Sequence, residues 1–264
     1  MENLSTAKRR YEIQKILQDE GAVSSQKLSS LFNVSIMTIR RDLKYLDDKG
    51  IALRNHGGAI ASNRFVFVKN LTQKAKEAIE AKKAIGQYAA KNLVSAANES
   101  IIVDAGSTTL EFVKHLPDTP INVMTNSLVA ISTLAEHTHT NVYSVGGELQ
   151  KGMMSFEGAM SDENLLSCNF SKAFIGVDGI DLQAGLTTTA EIGARLTRIM
   201  AEQSLEVYVL ADTSKYNKRS FRTILGFNRI TAIISNHGVP AEYKDFFAQK
   251  NIKLIEVGDY HDRK

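Results

Sequence analysis

Apolar residues in the first 60 positions recur at helical spacing in three short runs, each preceded by a capping residue. Ile13, Ile16 and Leu17 make the first stripe, on a helix that Ser5 or Thr6 can cap and that ends near Gly21. Ser24 or Ser25 can cap a second, shorter helix carrying Leu28, Leu31 and Phe32, and Asn33-Val34 supplies a tight turn. A third helix opens at Ser35, buries Ile39, Leu43 and Leu46, and stops at Gly50, which suits the position just past a helix C-cap. Residues 51–54 and 59–61 read as extended pieces about a tip at His56-Gly57-Gly58. Helix, short helix, turn, helix and hairpin is the order of a winged helix-turn-helix.

The pattern then changes. Residues 69–98 are rich in Ala, Lys, Glu and Gln with a single Gly, which predicts a mostly helical stretch. Phe65-Val66-Phe67-Val68 before it is a short apolar patch. From residue 100 onward, β-branched runs alternate with helical periods. Strands are expected at 101–103, 121–124, 142–145, 173–177, 207–210, 232–234 and 254–257, and helices at 109–115, 128–135, 191–203 and 241–249. Continuous apolar strands separated by helices imply a mostly parallel, open α/β sheet covered on both faces. The expected organisation is therefore a winged-helix domain at 1–60, a connector and first helix at 61–98, and an α/β domain at 99–264.

Composition narrows the class. The 264 residues are 43% hydrophobic and 23% charged, enough apolar material for a real core. No run approaches the roughly 18 apolar residues of a membrane helix, and the first ten residues lack the apolar segment of a signal peptide. A lone Cys168, read as a small buried residue, cannot form an internal disulfide and fits a reducing cytoplasm. Residues 1–60 hold ten basic and seven acidic side chains, so the whole net charge of +3 lies in the first quarter of the chain. That asymmetry points to a polyanion-facing front end on a neutral body.

The third helix carries the sharpest chemistry. Around its apolar face, Thr38, Arg41 and Tyr45 form one stripe, and Arg40 and Lys44 another. Arg matches guanine O6/N7 or a phosphate in a bidentate way, and Ser35 at the cap can donate to a phosphate. An isolated helix of this kind would be read as a surface helix with solvated charges; here the short helix, turn and Gly-Gly hairpin around it favour a helix that enters a major groove. Ser35, Thr38, Arg40, Arg41 and Lys44 are the expected DNA contacts, with His56 and Gly57 in the wing.

The run Arg9-x3-Ile13-x3-Leu17, then seventeen residues, then Ser35-x2-Thr38-Ile39-Arg40-Arg41-Asp42-Leu43 resembles the N-terminal signature of the DeoR family of bacterial transcriptional regulators. The wing Arg54-Asn55-His56-Gly57-Gly58-Ala59 is similar to that family's too. The resemblance implies a repressor of a sugar-utilisation operon whose C-terminal domain senses a phosphorylated sugar. His56 and the two glycines, at a tip read as needing positive φ, would approach the backbone or the minor groove.

The second half supports a ligand cleft on its own residues. Each expected strand ends in small or polar residues: Asp104-Ala105-Gly106-Ser107-Thr108-Thr109, Thr125-Asn126-Ser127, Gly146-Gly147, Asp178-Gly179-Ile180-Asp181 and Asp212-Thr213-Ser214-Lys215. Strand carboxyl ends line the crevice of an open parallel sheet. Gly106, Ser107, Thr108 and Thr109, between a strand and a helix, can cradle an anion with backbone N–H groups and hydroxyls. Asp104 and Asp178 could accept from sugar hydroxyls, and Lys215 could neutralise a phosphate. Taken singly, each is equally a capping or turn residue.

These segments look like the family's sensor domain, similar in fold to ribose phosphate isomerases, so the resemblance runs from about Leu4 to Gly258. Asn126 and Gly147 belong to the expected effector site as strand-end residues, and Lys151 and Glu191 join it through the resemblance. Two positions depart from the family: Gln150, with Lys151 next, where an Arg is usual, and Ala190 where many relatives have Asn. Glu191 is retained, as a ligand contact or a helix cap.

Other chemistry is thin. His137-Thr138-His139 reads as a solvated turn rather than a zinc site. No Gly-x-Gly-x-x-Gly follows a strand and no P-loop is present, so neither cofactor nor metal is expected. The alternative is a sugar-phosphate isomerase bearing a DNA-binding module. Against it, Leu182 follows Asp178-Gly179-Ile180-Asp181 where the isomerase motif has Glu, and Ala184-Gly185-Leu186-Thr187 replaces its Lys-Gly-Gly loop. The expected partners are double-stranded operator DNA, a phosphorylated sugar and further copies of the chain, as dimer or tetramer, without a membrane.

Overall fold

The computed structural model describes residues 5–20, 22–55, 57–61, 69–94 and 98–258. Two compact units divide it: Met1–Val68 with Lys218–Ser220, and Lys69–Asn217 with Phe221–Lys264. The patch at residues 65–68 lies outside the described residues, as do His56 and residues 95–97 of the connector.

In the first unit, α1 (Thr6–Glu20), α2 (Ser25–Phe32) and α3 (Ile36–Asp48) precede the hairpin of β2 (Ala52–Arg54) and β3 (Gly58–Ala61). The caps are those that the local chemistry favours. Ser24 accepts from the Lys27 N–H and Ser35 from the Thr38 N–H, while Asn33 ends α2 in the left-handed region at φ 49°. Gly50, at φ 71°, donates its N–H to the Asp47 carbonyl at 2.8 Å. Ile13, Leu17, Leu28, Ile39, Leu43 and Leu46 form one core. One strand was not expected: β1 (Ala22–Ser24) pairs antiparallel with β3, giving the sheet order β1-β3-β2. Neither Gly57 nor Gly58 adopts positive φ, contrary to the expectation for the tip. Gly58 is instead required by crowding, since a Cβ there would lie 1.9 Å from the Val23 carbonyl oxygen of β1.

The second unit opens with α4 (Leu71–Ala75) and α5 (Ile79–Asn92), two helices where one stretch was expected. The break falls at Ala78, whose φ of 48° is left-handed, although composition favours helix throughout. Tertiary bonding overrides propensity: Leu71 is buried and donates its N–H to the Gly152 carbonyl, and the buried Lys82 ammonium bonds the Lys74 carbonyl. The chain continues through β4 (Ser100–Val103), α6 (Ser107–Lys114), β5 (Asn122–Thr125), α7 (Leu128–Leu134) and β6 (Asn141–Ser144). The hairpin of β7 (Glu148–Gln150) and β8 (Ser155–Glu157) follows, then α8 (Ala159–Leu166), β9 (Phe170–Gly176), β10 (Gly179–Asp181) and β11 (Gly185–Thr188). Last come α9 (Glu191–Glu202), β12 (Ser204–Leu210), β13 (Arg222–Leu225), β14 (Ala232–Asn236), α10 (Ala241–Gln249) and β15 (Lys253–Val257).

Seven strands form a sheet in the order β15-β14-β12-β9-β4-β5-β6, every pairing parallel. They are the seven strands that the β-branched runs mark. Alternate residues feed opposite cores, as period-2 strands buried on both faces must. Ile102, Ala173, Ile175, Val207, Val209 and Ile233 pack with Leu196, Met200 and Phe247; Ile101, Val103, Phe174, Tyr208, Leu210 and Ile234 pack with Ile85, Ala89, Phe112 and Val113. The β7–β8 hairpin, α8 and a second, antiparallel sheet of β10-β11-β13 were not expected. Cys168 is half-buried rather than buried. Among the described residues no helix is long and apolar enough to cross a membrane.

Candidate functional site

On α3, Ile39, Asp42, Leu43 and Leu46 face inward and leave Arg40, Arg41 and Lys44 exposed. The Ser35 hydroxyl caps the helix at Thr38 N (3.1 Å) and lies 2.9 Å from the Thr38 hydroxyl, so the two polar side chains of the first turn hold each other. Lys44 faces Asp48 across 3.6 Å, an exposed pair of little energetic weight. The Arg10 guanidinium stacks 4.0 Å from the ring centroid of Tyr45. Arg9 and Arg10 each reach the buried Asp42 carboxylate at 2.7 Å, so two of the ten cations of residues 1–60 are structural. In the wing, the exposed Gly57 donates to Asn55 Oδ1 and accepts from the Ser25 N–H. Arg40, Arg54 and Asn55 share a shallow recess with Ser25, Leu43 and Gly58.

The second site is a cleft at the carboxyl ends of β4, β5 and β9, where parallel sheets place ligands. Of the eleven residues expected to meet an effector, Asp104, Gly106, Ser107, Thr108, Asn126, Asp178 and Lys215 line it. Lys74, Ser155, Glu157, Thr188, Thr189 and Thr197 line it too, without having been expected there. Gly106 begins α6 with no side-chain cap, which leaves first-turn N–H groups directed at the cleft. Asn126 Oδ1 accepts from Ala105 N at 2.7 Å and fixes the loop that leads to that turn.

The two cleft aspartates differ. Asp178 is buried, which alone would raise its pKa, but the Lys74 ammonium at 2.6 Å and hydrogen bonds from Thr188 and Thr189 hold it below the ordinary range. Both of its oxygens have partners within the protein. Burial pushes Asp104 up to about 7, against the Thr197 hydroxyl at 3.2 Å and the N–H groups of Ala105 and Gly176. A carboxyl that titrates near neutrality can donate as well as accept. Burial also raises Glu157, despite a hydrogen bond from Ser155. Lys215 enters from the turn Thr213–Lys215, which Asp212 caps through Ser214 N.

Four expected residues fall outside the lining. Thr109 is buried and donates its hydroxyl to the Gly106 carbonyl. Gly147 sits at φ 106°, where a Cβ would meet Ser161 Oγ at 2.1 Å and the Glu157 carbonyl at 2.7 Å. Lys151 is exposed in the turn between β7 and β8, and the departing Gln150 bonds Met153 N there. Glu191 is exposed at the start of α9 and pairs with Arg222 at 2.6 Å; Ala190, the other departure, lines the cleft. The His137-Thr138-His139 turn is ordered rather than merely solvated, because Asp118 accepts from the backbone N–H groups of Thr138, His139 and Thr140. Those bonds, led by Thr138, hold the Asp118 carboxyl well below the usual range. Among the described residues no His, Cys, Asp and Glu cluster suits a metal.

A helix-turn-helix unit whose third helix exposes Arg40, Arg41 and Lys44, in one chain with a parallel α/β unit that carries a cleft, defines a DNA-binding regulator with a sensor domain. The comparisons agree. Residues 9–65 match the DeoR-like helix-turn-helix domain and residues 77–237 the DeoR C terminal sensor domain. The chain is 33% identical over 261 residues to a protein of Escherichia coli O157:H7 named for repression of the aga operon, covering 96% of this chain and 95% of that one. It is 30% identical to the transcriptional regulator GlpR of Haloferax volcanii (95% and 97% covered) and 31% to the L-fucose operon activator of Haemophilus influenzae (93% and 99%). Ribose 5 phosphate isomerase A from Neisseria gonorrhoeae is a slight structural likeness only, with TM-score 0.38, 20% identity, and 52% of this chain and 53% of that one covered. The chain belongs to the DeoR family of transcriptional regulators.

Proposed function

We propose that the protein represses a carbohydrate operon and leaves its operator when a phosphorylated sugar fills the cleft. The observation that carries the effector reading is the uncapped start of α6 beside two lysines, Lys74 and Lys215. Backbone N–H groups at a helix N-terminus with ammonium groups nearby suit a phosphate. Asp104, Asn126 and Ser155 supply polar contacts for hydroxyls. Two relatives, the L-fucose operon activator and a lactose phosphotransferase system repressor, carry names that point to carbohydrate operons.

In this reading Ser35, Thr38, Arg40, Arg41 and Lys44 meet duplex DNA, with Gly57 and His56 in the wing, and the chain acts in the cytoplasm as a dimer or tetramer. Two recognition helices about 34 Å apart would enter successive major grooves. The effector must bind the DNA-competent arrangement more weakly, by roughly 1–3 kcal/mol, to release it. The chain is read as carrying out no reaction on the sugar.

The test is a titration of sugar phosphates into the full chain bound to its operator. Release by a phosphorylated sugar, and not by its unphosphorylated counterpart, is the expected result. Lys215→Ala should blunt release and leave DNA affinity intact. A complex that persists across a broad panel, or steady aldose–ketose isomerisation by the protein, would overturn the reading.

A further inference from the structure

Met37, in the first turn of α3, is 57% exposed, more than any other large apolar side chain among the described residues of its unit. Its placement is specific. At 3.6 residues per turn it projects opposite the buried face formed by Ile39, Asp42, Leu43 and Leu46. Arg40 and Lys44 flank it on one side and Arg41 on the other, and Ile36 beside it is 40% exposed. The fold gains nothing from an exposed thioether at this point. An apolar tip ringed by three cations is a poor match for an apolar protein surface or a lipid interior, and a good one for a polyanion that also presents an apolar spot.

Duplex DNA has such a spot. Of the groups on base edges in the major groove, the C5-methyl of thymine is the apolar one. Resting on the DNA-binding reading above, we infer that Met37 reads a thymine methyl group, with the flanking cations fixing the register on phosphates. Met37 is then a specificity-determining residue, distinct in kind from the polar contacts around it.

The test uses the full chain, a duplex selected by it from a randomised pool, and the same duplex with thymines replaced one at a time by deoxyuridine, which lacks only the methyl group. Wild type should lose about fourfold in affinity at one thymine per half-site, the partition free energy of one methyl. Met37→Ala, which keeps helix propensity, should bind the thymine and deoxyuridine duplexes equally while retaining its other base preferences. The inference is overturned if no thymine is methyl-sensitive, or if the sensitivity survives in Met37→Ala. A change of oligomeric state in Met37→Ala with DNA affinity unaltered would likewise overturn it, by assigning the residue to a contact between copies. Failure to enrich any duplex would overturn the DNA-binding reading itself, and this inference with it.

Discussion

The Lys74 ammonium lies 2.6 Å from Oδ1 of Asp178, joining α4 to the loop after β9 across 104 residues of sequence. Both side chains are largely removed from solvent and both line the cleft, so the effector proposed above would compete with Asp178 for the same cation. The pair is therefore at once part of the unit's structure and part of its candidate site.

Lys74→Met should destabilise the α/β unit by about 3 kcal/mol, because it strands a buried carboxylate that keeps only the Thr188 and Thr189 bonds. The low pKa of Asp178 makes its contribution one that is present above the unfolded pKa and lost as pH falls. The gap between wild type and variant in urea denaturation should accordingly narrow on acidification. A gap that stays constant down to about pH 3 would argue against the ion pair as its source.

Asp104 gives the opposite slope. Its pKa rises from 3.8 to about 7 on folding, so in that window the folded state holds the proton that the unfolded chain has lost. Stability should fall as pH rises through the window, by up to about 1.4 kcal/mol per pH unit, and level off above it. Asp104→Asn removes this contribution, so its stability relative to wild type should grow between about pH 5 and about pH 7. Glu157, raised in the same direction by burial, also adds to the rise of Asp104 through its charge.

Asp42 is the hub of the DNA-binding unit, with Arg9 and Arg10 on its two oxygens. Asp42→Ala leaves the buried Arg9 without its partner and should cost about 3–5 kcal/mol. Hydrogen exchange should show α1 and α3 losing protection while the seven-stranded sheet keeps its own. Equal protection in variant and wild type would contradict this.

The wing glycines separate two roles. Gly58→Ala forces a methyl against the Val23 carbonyl and should destabilise the unit by about 1–3 kcal/mol. Gly57→Ala meets nothing within 4 Å and has ordinary φ, so its fold should be unaffected. Thermal unfolding of the two variants measures the contrast, and a loss of DNA affinity confined to Gly57→Ala would mark a contact rather than a fold defect.

Local signals in this sequence determined a great deal. Apolar spacing, capping serines and β-branched runs act within a turn or a strand, and they placed α1 to α3, the wing and all seven parallel strands. Where a signal needed a distant partner, it was silent. Ala22-Val23-Ser24 is too short to show a strand period and becomes β1 because β3 lies ready to pair with it. Residues 69–98 have a uniform helical composition, yet the chain breaks at Ala78, where the bonds made by Leu71 and Lys82 outweigh propensity. The cleft divides along the same line. Loop residues at strand ends, such as Gly106, Ser107 and Asn126, were legible because parallel-sheet topology places every strand end on one side. Lys74, Glu157 and Thr197 were not, because they come from a hairpin and helices whose position against the sheet is decided by packing over a hundred residues. The charge states of Asp104 and Asp178 belong to that second class, since desolvation and a neighbouring ammonium exist only once the chain has folded.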